Sequence, residues 1–403
     1  MLRISDKATA MPASAIRKLV PFSEAAEASG VKVYHLNVGA PDIKSPDCAI
    51  NAIMDKCRNM HHLSYTNSAG LIELRKGMVE KYYKKIGIDI EVSDILIDVA
   101  GSEAFSVAMQ IAANPGDEII VIEPFYTNYQ TFAFLYGITL KAIPTDIREG
   151  FKIPGIEAFE AAYVPGKTKA VLLSNPCNPS GKLFTKEEML QIGEFCRKHD
   201  LFLISDEVYR EFCYTDEPHF SAMNIPGCEQ NVILVDSVSK RYNLCGARIG
   251  CMVSRNKDVM ACALKFAQSR LCPPVLGQYA SIGALDTPQS YFDEVREEYI
   301  RRRDCAVEEL NRMPGVFTPK PMGAFYTVAE LPVDDAEKFA KWLLTEFRVD
   351  NQTVMVTPAA SFYRNSEDKK NQVRIAYVLE VPFLKKAMNV LAQALKEYPG
   401  KTN

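Results

Sequence analysis

The 403-residue sequence lacks the features that mark membrane-spanning or secreted proteins. No apolar run approaches the ~20 residues needed to cross a bilayer. The first residues, Met1 to Lys7, have no continuous apolar core followed by a small-residue cleavage site. The eleven cysteines include no Cys-x-x-Cys pair and are scattered through segments with helix or strand patterns, which predicts reduced, mostly buried thiols. We therefore expect a cytoplasmic protein.

Histidine and excess positive charge are also scarce. None of the five histidines stands in a spacing typical of metal ligands. The formal net charge of −3 offers no broad attraction for nucleic acid. The basic run Arg301–Arg303 is balanced by Glu297, Glu298 and Asp304, so we interpret it as a solvated helix face. The sequence predicts no metal, nucleic-acid or membrane partner.

What is present is the composition of an ordinary globular protein of enzyme size. Apolar residues make up 47% of the chain and charged residues 24%. The length suits two or three domains. Strand-like and helical segments alternate along the chain, without an internal repeat, which favours the α/β class.

One stretch combines two hydroxyls, an amine and a guanidinium. A strand pattern ends in Ser237, Ser239 and Lys240, and Arg248 follows eight residues later, before a second apolar run. A lysine of ordinary pKa, about 10.4, must be desolvated or near a cation before it can attack a carbonyl. Arg241 and Arg248 could supply that cation, and two hydroxyls with a guanidinium also suit a phosphate. The alternative is an ordinary solvated lysine at a strand end.

Several other predicted strands end in polar or aromatic residues. Open α/β sheets bind ligands at the carboxyl ends of their strands. A glycine turn that opens a helix favours an anion, although many such turns bind nothing. The carboxylates of Asp206 and Glu207 are adjacent, so they could also bind a metal or form an acid–base pair. Tyr126 could simply pack in the core. The residues at these strand ends are Gly101, Ser102, Tyr126, Asn178, Asp206 and Tyr209.

Three further residues stand out by their surroundings. Arg374 lies in an otherwise apolar strand, where a guanidinium needs a ligand carboxylate or an internal Asp or Glu partner. Gly39 precedes a Pro-Asp turn, and Tyr65 opens a polar loop before a helix. A simple turn and an interface aromatic are the alternatives for these two residues.

Ser-x-Ser-Lys followed by Gly-x-Arg-x-Gly resembles the cofactor-lysine motif of class I/II aminotransferases, which are pyridoxal-phosphate enzymes of fold type I. The other residues match the family in order along the chain, most closely the aspartate aminotransferase group. The resemblance implies a large domain with a mostly parallel seven-stranded sheet between helices, and a smaller α/β domain. It implies an N-terminal segment 1–45 that contributes to the small domain, a cofactor-binding domain 46–288 and a small C-terminal domain 289–403.

The resemblance also implies a role for each residue. Lys240 would hold pyridoxal 5'-phosphate covalently, with Asp206 pairing with its ring nitrogen and Tyr209 donating to its ring oxygen; these three are the expected catalytic residues. The expected cofactor-binding set is Gly101, Ser102, Tyr126, Asn178, Asp206, Tyr209, Ser237, Ser239, Lys240, Arg248 and, from a neighbouring subunit, Tyr65. The expected substrate-binding set is Gly39, Asn178 and Arg374. The active unit would be a homodimer with shared sites.

By the same resemblance, the reaction would transfer the amino group of an L-amino acid, aspartate-like or of broad range, to a 2-oxo acid such as 2-oxoglutarate, with ping-pong kinetics. Two departures bear on the substrate and phosphate. Ser102 stands where some bacterial aspartate aminotransferases have a basic residue for the second carboxylate, and Ala100 stands where a hydroxyl residue is common. Arg270 could substitute for the missing base, or form a structural salt bridge.

Other functions share the same fold. A carbon–sulfur lyase or a decarboxylase would use the same cofactor residues. A non-catalytic ligand-binding relative is the third alternative, although the lysine is present and no DNA-binding extension flanks the chain.

Overall fold

The computed structural model describes residues 2–14 and 16–402, which form an α/β fold. The strands are β1 (Lys32–His35), β2 (Ile95–Val99), β3 (Glu118–Ile122), β4 (Thr139–Ile143), β5 (Thr168–Ser174), β6 (Phe202–Asp206), β7 (Val232–Ser237), β8 (Ile249–Val253), β9 (Tyr326–Glu330), β10 (Gln352–Met355), β11 (Thr357–Pro358) and β12 (Gln372–Ala376). The α-helices are α1 (Asp6–Ala10), α2 (Val20–Ala28), α3 (Asp47–Asn59), α4 (Ile72–Gly77), α5 (Ala100–Ala112), α6 (Asn128–Tyr136), α7 (Ile156–Ala162), α8 (Lys186–Lys198), α9 (Val238–Arg241), α10 (Lys257–Arg270), α11 (Val275–Ala284), α12 (Gln289–Asn311), α13 (Ala336–Thr345) and α14 (Val381–Glu397).

The largest sheet has seven strands in the order β2-β8-β7-β6-β5-β3-β4. In this sheet β8 runs in the opposite direction to the other six strands, which are parallel to one another. Successive residues alternate between two separate cores: Leu203 and Leu234 pack on one face, while Ile204 and Ile233 pack on the other. Because both faces are covered, the strands are apolar along their length, and polar residues collect at their ends. This confirms the predicted α/β class and the mostly parallel seven-stranded sheet.

Residues from both ends of the chain build a separate hydrophobic core. The strand β1 pairs in parallel with β10, and β11, β12 and β9 form an antiparallel sheet. Leu19 and Leu36 pack in the same core as Val373 and Ile375. This packing is what a small domain with an N-terminal contribution requires. The domain boundaries between residues 45 and 46 and between residues 288 and 289 stay predictions.

Three apolar runs that the sequence predicts as strands have the bounds that the structure shows, namely Ile95–Val99, Glu118–Ile122 and Ile249–Val253. The sequence also predicts a helix from about Ala15 to Ser29, and the observed helix is shorter, Val20–Ala28, with a proline in its first turn. Proline suits the start of a helix because the N–H it lacks would have no intrahelical partner there. Ala15 itself lies outside the described residues.

The balanced charges around the arginine run on α12 predicted a solvated helix face, and the structure shows that only part of the run is exposed. The side chain of Arg301 is 60% exposed, but Arg302 and Arg303 are buried. Arg302 pairs with Asp42 at 2.6 Å and Arg303 with Asp304 at 2.8 Å. The prediction was wrong for these two residues because Asp42, a partner distant in the chain, makes burial of one guanidinium possible.

All eleven cysteines are free thiols, and only Cys57 is exposed. Five are buried and five are half-buried, which is a smaller buried share than predicted. Among the described residues, no helix is both long enough and apolar enough for a bilayer crossing.

Candidate active site

The predicted lysine lies on a single helical turn at the end of a central strand. Where β7 ends, the Ser237 hydroxyl caps α9 by accepting a hydrogen bond from the Ser239 N–H at 3.1 Å. The Ser237 hydroxyl also donates to the Ile249 carbonyl at 2.9 Å, which ties the turn to the neighbouring strand. Lys240 therefore projects from a backbone that is held on two sides.

The surroundings of Lys240 favour its neutral form. Burial is the largest effect and lowers the pKa of the Lys240 amine; the Cys245 thiol opposes this, whereas the positive charges of Arg374 and Arg248 add to the lowering. The Nζ atom donates a hydrogen bond to the Gly39 carbonyl at 2.6 Å. An amine with a lowered pKa is a better nucleophile at neutral pH.

Arg241 does not have the role that the sequence suggested. Its guanidinium binds both carboxylate oxygens of Asp236, at 2.6 and 2.7 Å, and its Nε donates to Glu211 at 3.2 Å. The prediction that Arg241 supplies a cation beside Lys240 was wrong, because the side chain points into a buried ion-pair network. Tyr83 donates to the same Asp236 at 2.9 Å. The Arg241–Asp236 ion pair stabilises the helical turn that carries Lys240.

A cavity of about 480 Å³ opens at the carboxyl ends of the large sheet. Every predicted site residue except Tyr65 lines it. These residues are Gly39, Gly101, Ser102, Tyr126, Asn178, Asp206, Tyr209, Ser237, Ser239, Lys240, Arg248 and Arg374. The structure thus brings together residues that are up to 335 positions apart in the chain, a span from Gly39 to Arg374 (374 − 39).

One end of the cavity is suited to an anion. The first residues of α5, which include Gly101 and Ser102, lie in the cavity wall with Ser239 and Arg248. A 13-residue helix presents free N–H groups and a partial positive charge at its start. Two hydroxyls, a guanidinium and a helix start together fit a phosphate dianion.

Close packing accounts for the second glycine of the Gly-x-Arg-x-Gly motif, Gly250. A Cβ atom on Gly250 would lie 2.4 Å from the carbonyl carbon of Ala100 and 2.5 Å from the nitrogen of Gly101. The backbone of the anion-binding turn therefore packs directly on β8, and a larger residue would displace it.

Asp206 ends β6 in a buried position, 3% exposed. Its carboxylate accepts hydrogen bonds from the Tyr129 hydroxyl at 2.7 Å and from the Val208 N–H at 3.2 Å. Burial raises the pKa of Asp206 to about 7, while these two hydrogen bonds oppose the rise. A protonated ring nitrogen facing this carboxylate would supply the missing countercharge. Sequence reasoning did not find Tyr129, which carries no motif of its own.

Two tyrosines meet in the cavity wall. The hydroxyls of Tyr209 and Tyr326 are 2.9 Å apart. Tyr326, the first residue of β9, was missed as a site residue because nothing in that strand's sequence distinguishes it from a core tyrosine. A Cβ atom on Gly39 would lie 1.9 Å from the Tyr326 hydroxyl, so glycine is required for this packing.

Arg374 is almost fully buried, 1% exposed, on β12. Its Nη1 atom donates to Asn178 Oδ1 at 3.1 Å and its Nη2 atom to the Asn37 carbonyl at 2.6 Å. Within the described part of the chain, Nε has no acceptor and no Asp or Glu pairs with the guanidinium. A buried guanidinium with an open donor needs an anion, and a ligand carboxylate fits.

Glu207 does not join Asp206 in a metal site or an acid–base pair. It is fully buried beside Arg210, its ion-pair partner, and accepts hydrogen bonds from the Ser205 and Ser221 hydroxyls at 3.0 Å each. Its oxygens are therefore used inside the protein. Over residues 2–14 and 16–402, the structure contains no group of three side chains placed to hold a metal ion.

Two other residues lie away from the cavity. Arg270 pairs with Glu103 at 3.1 Å and donates to the Ile97 carbonyl at 3.0 Å, which is the structural salt bridge considered as an alternative. Tyr65 is 79% exposed and contacts none of the cavity in its own chain.

Comparisons with known proteins agree with this geometry. Residues 31–391 match the family model for aminotransferase class I and II. Aspartate aminotransferase from Pyrococcus abyssi is 31% identical over 403 residues, which covers 98% of this chain and 99% of the relative. A solved aspartate aminotransferase from Thermus thermophilus has a TM-score of 0.88 at 27% identity, and an alanine aminotransferase from Pyrococcus furiosus has 0.88 at 30% identity. Both alignments cover 98% of this chain and all of the neighbour.

Proposed function

Since the chain belongs to the class I and II aminotransferases, a family that is generally dependent on pyridoxal 5'-phosphate, we propose that its cavity binds this cofactor through Lys240. The reaction is the transfer of an amino group from an L-amino acid to a 2-oxo acid. The observation that carries the proposal is a single cavity in which a partly buried lysine of lowered pKa, a buried aspartate and a buried arginine with an unpaired donor meet.

The residues present fit the cofactor at both of its charged ends. The start of α5, Ser239 and Arg248 are suited to its phosphate. The buried carboxylate of Asp206 is suited to a protonated ring nitrogen, because that charge would stabilise the ionised form. When bound, the cofactor supplies an aldehyde that takes up the amino group and a conjugated ring that accepts the electrons released at the substrate's α-carbon.

The chain's own residues would then orient the substrate and move one proton. Arg374, which lines the cavity and has no carboxylate partner among the described residues, would bind the substrate's α-carboxylate through its guanidinium, supported by Asn178. Once the substrate's amine has replaced it on the cofactor, the Lys240 amine, which is partly buried and has a lowered pKa, would take the proton from the substrate's α-carbon and deliver it to the cofactor carbon that bears the amino nitrogen. Asp206 would hold the ring nitrogen in its protonated form by charge pairing. Tyr209 and Asn178 would be the hydrogen-bond donors for the ring oxygen, and Tyr126 would supply an aromatic surface for the ring.

Amino donor and acceptor exchange at the same cavity, which gives ping-pong kinetics. The solved neighbours include an aspartate and an alanine aminotransferase, so family membership alone leaves the donor open. We infer a homodimer in which Tyr65 reaches the phosphate of the neighbouring subunit, which its 79% exposure in its own chain permits.

Absorbance of the purified protein tests the proposal. Single L-amino acids are added without an acceptor, and the absorption band of the bound cofactor, at the boundary between ultraviolet and visible light, is followed. We expect the band to disappear with amino acids that are donors and to return on addition of 2-oxoglutarate. Lys240→Ala should lower turnover by at least ~10³-fold, since it removes both the cofactor attachment and the proton-transfer group. Lys198→Ala, at an exposed lysine paired with Glu160, is the matched control and should keep the wild-type rate.

Wild-type turnover by the Lys240→Ala variant would contradict the assigned role. Release of pyruvate and ammonia from a single amino acid, without an acceptor, would instead indicate a lyase. A stable cofactor band that no amino acid bleaches would indicate a non-catalytic relative.

A further inference from the structure

One cation of the cavity has no role in the reaction described so far. The cavity is lined by Arg17, Lys240, Arg248 and Arg374, and three of these are assigned to the cofactor or the α-carboxylate. The guanidinium of Arg17 makes no ion pair or side-chain hydrogen bond with the described residues. Its neighbour Lys18, by contrast, is paired with Glu337 at 2.5 Å. Arg17 is therefore free to bind an anion in the cavity.

The charge of Arg17 reaches the centre of the site. Burial raises the pKa of Tyr126, and the positive charges of Arg374, Arg17 and Arg248 oppose that rise. Tyr126 lines the same cavity as all three guanidinium groups. An anionic ligand beside Tyr126 would be attracted by Arg17 as well as by Arg374.

The N-terminal segment holds Arg17 on the same packed unit as Arg374. Leu19, two residues on, is 4% exposed and packs in the core that also contains Val373 and Ile375 of β12. The helix α2 begins immediately afterwards, at Val20. The backbone that carries Arg17 is therefore anchored in the same core as the strand that carries Arg374, and both side chains line one cavity, as recognition of two carboxylates on one small molecule requires.

Other positions do not provide a second carboxylate site. Ser102 is neutral, and Arg270 is committed to Glu103 at 3.1 Å and to the Ile97 carbonyl. Among the cavity-lining residues, Arg17 is the cation that remains after the cofactor and the α-carboxylate have been paired.

We propose that Arg17 is the specificity-determining residue that binds the second carboxylate of a dicarboxylic substrate, such as aspartate, glutamate or 2-oxoglutarate, while Arg374 binds the first. The inference rests on the proposed aminotransferase site and adds a substrate class to it. A guanidinium is well suited to this role because it offers parallel donors to a carboxylate and stays charged throughout the working pH range.

Ligand binding to the cofactor-loaded protein tests Arg17 without turnover. Succinate carries two carboxylates and propionate carries one, and neither has an amino group to transfer. For Arg17→Met we expect the Kd of succinate to rise at least tenfold and the Kd of propionate to change less than twofold, as measured by calorimetry. Lys18→Met is the matched control, because it removes an adjacent cation that is paired outside the cavity, and both Kd values should stay within twofold of wild type.

Kinetics give a second readout. The ratio of kcat/KM for aspartate to kcat/KM for alanine should fall at least tenfold in Arg17→Met and recover in part in Arg17→Lys, which restores the charge without the paired donors. An unchanged ratio, equal weakening of succinate and propionate, or a selective loss of cofactor affinity would overturn the inference. The proposed function fails separately, if no amino acid bleaches the wild-type cofactor band.

Discussion

Asp206 shows most clearly how burial without a countercharge changes a single residue. Its carboxyl group is buried and has no cationic partner among the described residues, so its pKa rises to about 7. The cofactor-free folded protein therefore retains a proton on this group at pH values where the unfolded chain, with a pKa of about 3.9, has lost it. Stability from this group is consequently lost as the pH rises from about 4 to 7.

Asp206→Asn removes that titration. Relative to wild type, the cofactor-free variant should gain on the order of 2 kcal/mol of unfolding free energy between pH 5 and pH 8, since only the wild type must then bury a charge. Urea unfolding of both proteins at the two pH values measures the difference. The exposed Asp55→Asn is the control. A wild-type-to-variant difference that does not vary with pH would contradict a raised pKa.

Arg374 and Arg241 show that burial alone does not identify a binding residue. Both guanidinium groups are buried, but Arg241 has both oxygens of Asp236 within 2.7 Å, whereas Arg374 keeps an open donor in a cavity. The first arrangement satisfies the charge inside the protein. The second requires an external anion.

At the scale of elements, the anion-binding end depends on contact between the start of α5 and the strand β8. Gly250 on β8 approaches the backbone of Ala100 and Gly101 so closely that a Cβ atom has no space. The glycine therefore acts through packing, and the position of the N–H groups that we propose for the phosphate depends on it.

Gly250→Ala tests this contact. The added Cβ would meet backbone atoms at 2.4 and 2.5 Å, so the turn must shift, and we expect the affinity for pyridoxal 5'-phosphate to fall at least ~tenfold. Titration of the cofactor-free protein followed by absorbance gives the affinity. Gly246→Ala is the matched control, because nothing lies within 4 Å of its added Cβ. Equal losses in both variants would show that the contact with the turn is not the cause.

At the scale of the whole molecule, the exposed ring of Tyr65 suggests that one chain does not complete its own site. Its side chain is 79% exposed in the single chain and is therefore available to a second subunit, where an amphipathic ring can be partly buried.

Mixing two inactive variants distinguishes the subunit that Tyr65 serves. One chain carries Lys240→Ala and the other Tyr65→Ala, and the two are unfolded together and reassembled. If Tyr65 acts across the interface, each hybrid dimer has one site with an intact Lys240 and an intact Tyr65. Activity should then rise to roughly a quarter of the wild-type value for a random mixture, because half of the dimers are hybrids and each has one complete site. No gain over the separate variants would place Tyr65 in its own chain's site, or in none.

The sequence by itself determined the strands, the chemistry at their ends and the family. Short, mostly apolar runs identified β2, β3 and β8 with their observed bounds, because the side-chain pattern of a strand is a local property. The amine, carboxylate and amide at the ends of β7, β6 and β5 were also identified, since each stands in a motif that is contiguous in the sequence.

Only the tertiary structure decided which of several charged groups face the cavity and which pair with one another. Arg241 and Arg302 were misjudged, and Arg17, Tyr129 and Tyr326 were missed, because each depends on partners or cavity walls distant in the chain. A guanidinium next to Asp236 is a structural ion pair, and the same group beside an open cavity is a ligand site. The physical reason is that burial and charge pairing depend on the neighbours in space, which local sequence patterns do not contain.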